Sequence, residues 1–265
     1  MKQHLKYIVP AAILLAGILF FVSKKTAQDT APGDQIPTRK VEQINKLPVE
    51  DRPFVTLSPR ADGREVTLAI DNVMGATSAE YELEYQAEAL IQGVFGTIDF
   101  SEDKPPVSKE LLFGSCSKGK CRFDEGVTGG SLTIRFEGTD EPYVLKSDFN
   151  LQLMGDREGV FTSKDIKASL DVGTSLPATT YVLVAGTMGL PAEVEGEVLA
   201  GPYAFLAATS PTLKGAELTL KSKDDLTDAK LMQWTGKAWI ELKAEVAEGQ
   251  ISAPVTSLGT YVLVK

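Results

Sequence analysis

Histidine is nearly missing from this chain. Of 265 residues only His4 is one, so no Ser-His-Asp relay, Cys-His pair or histidine-ligated metal can be assembled beyond the N-terminal end. Cysteine is almost as scarce: Cys116 and Cys121 are the only two, too few for a four-ligand zinc site. No G-x-S-x-G elbow, phosphate-binding P-loop or G-x-G-x-x-G turn occurs. None of Asn45, Asn72 and Asn150 begins an N-x-S/T sequon. Basic side chains are outnumbered 27 to 36, a net charge of −9 that argues against a nucleic-acid partner. The expectation is a protein that is not an enzyme and carries no cofactor or metal.

The N-terminal end holds an uncharged run, Tyr7 to Val22, with Lys2 and Lys6 before it and Lys24 and Lys25 after it. As a helix it spans roughly 24 Å, and flanking lysines can snorkel to meet a hydrocarbon core of about 30 Å. Its membrane-facing residues would be Tyr7, Ile8, Val9, Ile13, Leu14, Leu15, Ile18, Leu19, Phe20, Phe21 and Val22. Phe20-Phe21-Val22 runs straight into Ser23-Lys24-Lys25, a poor match to the small residues of a cleavage site, so an uncleaved anchor is expected ahead of a cleaved signal or a buried core helix. Ile18 stands where a lipoprotein box would need cysteine. Residues 1–25 contain four lysines and no acid, which leaves the remainder more acidic than the whole chain. That remainder is expected outside the cytoplasm, repelled by anionic lipid and held by its single span.

Residues 26–53 are rich in Thr, Gln, Asp and Pro and read as a flexible linker. After Phe54 the apolar pattern has period two, as in Val66-Leu68-Ile70, Tyr81-Leu83-Tyr85, Leu132-Ile134-Phe136, Ala216-Leu218-Leu220 and Ala238-Ile240-Leu242. Turn residues recur between these runs, at Asp62-Gly63, Gly129-Gly130 and Thr235-Gly236-Lys237. The fold class is all-β, as two antiparallel Ig-like β-sandwich domains behind the N-terminal transmembrane helix and linker. A break at Gly155 to Gly159 divides them into 54–156 and 157–265. The string TYVLV occurs twice, at Thr180 to Val184 and Thr260 to Val264, and reads as two strands in similar surroundings.

The stretch from Trp234 to Val264 has a Trp-bearing hairpin, an acidic turn and a G-x-Y-x-L strand at Gly259, Tyr261 and Leu263. In this it resembles the closing strands of β-sandwich (Ig-like) modules of bacterial cell-surface proteins. The resemblance covers some 30 to 60 residues. It implies a fold and an envelope address, and no chemistry.

Five features are candidates for function. Cys116 and Cys121 flank Ser117-Lys118-Gly119-Lys120, and a disulfide across a tight hairpin fits better than a redox pair, which favours C-x-x-C. Glu80, Glu82 and Glu84 share one strand face, either as a wet surface or as a site for a basic partner. The acid clusters Asp99 to Asp103 and Asp224 to Asp228 do not match a calcium loop. Trp234 and Trp239 are core residues or candidate ligand-facing aromatics for stacking on a sugar. Leu176-Pro177-Ala178-Thr179-Thr180 mimics a sortase signal but lacks its final glycine and its tail. The leading expectation is a membrane-anchored, extracytoplasmic binding or scaffold module whose partners are envelope proteins or glycans. The alternatives are a carboxylate-dependent glycan-acting enzyme, or a subunit of a surface or secretion assembly that uses an open sheet edge.

Overall fold

The computed structural model describes residues 43–88 and 90–265. The expected anchor at 1–25 and most of the expected linker lie outside the described residues. Among the described residues no helix is long and apolar enough to cross a membrane.

The all-β expectation is met. The strands are β1 (Phe54–Pro59), β2 (Glu65–Asp71), β3 (Ser78–Ala87), β4 (Leu90–Asp99), β5 (Val107–Leu112), β6 (Gly114–Ser117), β7 (Lys120–Phe123), β8 (Gly129–Glu137) and β9 (Tyr143–Leu153). After a 3-10 turn at Met154–Asp156 come β10 (Val160–Thr162), β11 (Ala168–Asp171), β12 (Tyr181–Gly186), β13 (Val198–Leu206) and β14 (Ala216–Lys221). The last are β15 (Lys230–Trp234), β16 (Trp239–Glu241), β17 (Glu245–Ala247), β18 (Gln250–Val255) and β19 (Gly259–Val264).

One nine-stranded antiparallel sheet, in the order β16-β15-β19-β13-β12-β9-β8-β3-β4, forms a wall through the body. The sheet is continuous across residue 156, because β9 pairs with β12 from Leu153↔Tyr181 to Phe149↔Ala185. Two smaller sheets cover it, β1-β2-β5 and β10-β11-β14-β18-β17. The sequence of β12 shows how. Leu183 and Ala185 join the cluster built on Val66, Leu68 and Ile70 of β2. Val182 and Val184 join the cluster built on Leu218 and Leu220 of β14. Neighbouring strand residues point to opposite faces, so the two smaller sheets lie on opposite sides of the wall and overlap at β12.

This arrangement explains the repeated TYVLV. A strand buried on both faces reads as an unbroken apolar run rather than an alternating one. In β19, Tyr261 and Leu263 enter the second core, while Val262 and Val264 pack with Leu190 and Trp239 on the other face. Strands buried on one face alternate, as Val66, Leu68 and Ile70 do, all fully buried between half-exposed neighbours. Large rings fill both cores: Phe113, Phe136 and Phe149 in the first, Phe161, Phe205 and Tyr261 in the second. Each such side chain contributes about 1.5–3 kcal/mol by leaving water.

Two local readings need correction. Gly129-Gly130 is not a turn but the start of β8. A Cβ on Gly130 would collide with the Glu84 carbonyl of β3, so glycine is required there by close approach of the two backbones. The alternation Ala238-Ile240-Leu242 also does not mark the buried face. Trp239 is the inward residue of β16, and Ile240 is 44% exposed at the sheet margin.

The segment before β1 is pinned to the wall. Asn45 exchanges side-chain hydrogen bonds with the backbone of Lys146 in β9, donating to its carbonyl and accepting from its N–H. Arg52 donates to the carbonyls of Asn45, Leu47 and Met188. Burial lowers the pKa of this guanidinium, yet three carbonyls hold its charge in place.

Candidate interaction surface at a sheet edge

A sheet edge offers unpaired backbone groups to any passing strand, and folded proteins protect such edges with charge, brevity or cover. Most edges here follow that rule. β16, β17 and β10 have three residues each. β5 carries Lys109 and Glu110, with Lys109 bonded to Asp103 at 2.6 Å. β1 is tied at its free side to the segment after β12, by the Val55 N–H donating to the Thr187 carbonyl and a bridge from Phe54 to Met188. Among the described residues β4 has none of these protections. It is ten residues long, reads LIQGVFGTID, holds no proline, and has no charge before Asp99.

Its register with β3 fixes what it presents. Tyr81 faces Gly96, Leu83 faces Val94 and Ala87 faces Leu90, so Leu90, Gln92, Val94, Gly96 and Ile98 lie on the core face. Ile91, Gly93, Phe95 and Thr97 lie on the outer face, opposite Gln86, Glu84, Glu82 and Glu80. Phe95 is 81% exposed, Ile91 73% and Leu90 63%. The Phe100 N–H donates to the Thr77 carbonyl in the same register. Alternation then turns the backbone N–H and C=O groups of Ile91, Gly93, Phe95 and Thr97 away from β3, towards the open side.

The acidic stripe is therefore real as geometry. Glu80, Glu82 and Glu84 form one row beside β4, and β8 sets Arg135, Thr133 and Ser131 on their other flank. Among the described residues neither Glu82 nor Glu84 makes a salt bridge. Because Gly129, Gly130 and Ser131 are small, a hollow of about 300 Å³ opens on this face between Ile91, Glu84 and Lys164. Lys164 is engaged at its far wall, bonded to the Gly130 carbonyl and 3.9 Å from Asp148. The result is an uncharged edge with an aromatic knob, a glycine gap and an acidic row behind it.

The other candidate residues are placed as follows. Cys116 and Cys121 form a disulfide, directly paired across β6 and β7 with their Cα atoms 4.0 Å apart. Lys118 and Gly119 both have positive φ, the two-residue hairpin turn that brings the cysteines face to face. Trp234 and Trp239 are opposite each other in β15 and β16, rings 5.4 Å apart, both half-buried. The Trp239 indole N–H donates to the Ala192 carbonyl. The acidic clusters cap their own turns. Asp99 accepts from the Ser101 N–H and hydroxyl, and Asp225 accepts from Thr227 and from Lys265. These bonds, led by Ser101 and Lys265 respectively, lower both carboxyl pKa values, that of Asp225 to about 2. Leu176 of the sortase-like string is buried, and the string closes on itself through the Thr180 N–H and the Pro177 carbonyl.

A second cleft, of about 230 Å³, lies where β9, β12 and β13 meet the loop after β10. Arg52, Lys146 and Lys164 line it together with Asp148, Asp165 and Tyr203. The Tyr203 hydroxyl donates to Asp165 at 2.6 Å, and Ser163 donates to the other carboxylate oxygen at 2.6 Å. Burial alone would raise the Asp165 pKa. The bonds from Ser163, Tyr203 and the Lys167 N–H overcome it, and the carboxyl stays below the ordinary range. Burial and the same bond push the Tyr203 phenol up. Sequence reading missed this network, whose members are 38 residues apart. It also missed β4, whose signal was available as a long uncharged run.

No protein-family model matches the chain, and no curated protein matches it.

Proposed function

We propose that the protein is a membrane-anchored, extracytoplasmic β-sandwich protein of a bacterial envelope that acts as a non-enzymatic binding and scaffold module. On this reading residues 54–156 and 157–265 are two Ig-like sandwiches built on a common wall. The Tyr261 hydroxyl supports it, donating to the Ser257 carbonyl four residues upstream as in the tyrosine corner of such sandwiches. The observation that carries the binding role is the β4 edge, long, uncharged and capped by exposed Phe95. It favours recognition by strand addition, the mode of an assembly subunit. The carboxylate-enzyme reading needs a general acid with a raised pKa. Asp165, bonded to Ser163 and Tyr203 in the second cleft, has a pKa that moves the other way.

The test is protease treatment of intact cells carrying a C-terminal tag after Lys265, with fractionation of the lysate. The expected result is tag loss on intact cells and full-length chain in the membrane fraction. Full-length chain in the cytosol with Cys116 and Cys121 reduced would overturn the assignment.

A further inference from the structure

The β4 edge is complementary to itself. Two copies can be joined by a two-fold axis perpendicular to the sheet and passing beside Val94. Their β4 strands then run antiparallel, and each residue meets the one whose number completes 188. In that register Gly93 of one copy faces Phe95 of the other, twice. Ile91 faces Thr97 on the same outer face. On the core face Val94 meets Val94, and Leu90 meets Ile98. The outward backbone groups of Ile91, Gly93, Phe95 and Thr97 become four hydrogen-bonded pairs, up to about eight bonds.

The protein already uses this device within one chain. The ring of Tyr81 in β3 lies over Gly96 in β4, filling the space a Cβ would occupy. An aromatic across from a strand glycine repairs the packing the glycine lacks. Phe95 of a partner copy would cover Gly93 in the same way, on the outer face opposite Glu84.

Charge permits the pairing. From Leu90 to Ile98 the strand holds no ionisable group, so none meets its own kind across the axis. The nearest glutamate rows sit on the two β3 strands, three strand spacings or about 14 Å apart, beyond a Debye length of about 8 Å in physiological salt.

We propose that β4 is a homodimerisation edge, which joins the nine-stranded sheets of two copies into one through antiparallel β4–β4 pairing centred on Val94. The proposal names the partner for the edge on which the proposed function rests. A strand of ten residues is about 34 Å long and covers on the order of 700–900 Å² in total, less than the roughly 1,200 Å² of a standard stable interface. The association is correspondingly weak, with a Kd in the micromolar range. It is favoured wherever copies share a surface.

The experiment uses the full chain in detergent, carrying either Val94→Cys or Gln92→Cys, under mild oxidation. Val94 meets its own copy across the axis, whereas Gln92 meets Gly96, so only Val94→Cys is expected to give a covalent dimer. Adding Phe95→Lys to Val94→Cys should reduce the dimer at least tenfold. Phe95 is exposed, so the thermal midpoint of the folded body should stay unchanged. Salt between 50 and 500 mM should alter the dimer yield by less than about twofold. Equal cross-linking at position 92, an unchanged yield with Phe95→Lys, or a monomer throughout the micromolar range would each overturn the self-pairing. Those outcomes leave the protease-exposure result above intact, so failure of this inference and failure of the envelope assignment are told apart.

Discussion

Replacing Leu183 by alanine tests whether the wall couples the two halves. Leu183 is fully buried in β12 and packs in the first core, while its neighbours Val182 and Val184 pack in the second. Loss of the side chain costs the transfer free energy and leaves a cavity, together about 2.7–5 kcal/mol for a well-packed leucine. Against a typical stability of 5–15 kcal/mol this is a large fraction. With a urea m-value of about 2–3 kcal/mol/M, the midpoint should fall by roughly 1–2 M. The informative readout is where the loss is felt. Fluorescence of Trp234 and Trp239 reports on the margin of the second half, and hydrogen exchange in β2 peptides reports on the first core. If β12 joins the cores into one cooperative unit, both probes shift by the same free energy. A fall in β2 protection with the tryptophan transition unmoved would refute the coupling and show two independently melting sandwiches.

Three further predictions follow from side-chain contacts. The Tyr143 hydroxyl is buried and has no hydrogen-bond partner among the described residues, and burial pushes its pKa up to about 12; Tyr143→Phe should stabilise the fold by about 1 kcal/mol in urea melts, because an unsatisfied polar group is removed. The Asp165 carboxyl has a folded-state pKa below its unfolded one, so it stabilises the fold above the unfolded value, and that contribution is lost as pH falls through the folded value. Tyr203→Phe removes one of the bonds holding it down and should move the acid-unfolding midpoint to higher pH, measured by circular dichroism. Reducing the Cys116–Cys121 disulfide should cost no more than about 2 kcal/mol, since it closes a very short loop; thermal melts with and without reductant check this.

The elements most legible in the sequence were those whose local pattern fixes the geometry. Val66, Leu68 and Ile70 alternate because only one face of β2 is buried. Cys116 and Cys121 meet because Lys118-Gly119 makes a two-residue turn. The β4 strand escaped notice because apolar residues occupy both of its faces at an open edge, which removes the alternation that marks a strand. Ile240 misled for a related reason: the side of β16 that packs is decided by Leu190 and Val262, distant in sequence. Pairing order is the least local property of all. Nothing near β15 signals that β19 will lie beside it, or that Asp165 will receive the hydroxyl of Tyr203.

The position of β19 has a consequence for how the polypeptide is made. It lies between β13 and β15, both of which leave the ribosome before it. Until it arrives those two strands have an empty lane between them, and the cluster around Phe205 and Leu231 lacks Tyr261 and Leu263. The run from β8 through β9 and the hairpin of β3 and β4 needs nothing so distant. Folding on the ribosome should therefore begin in the first half, while the second stays vulnerable to trapping until β19 slots into place.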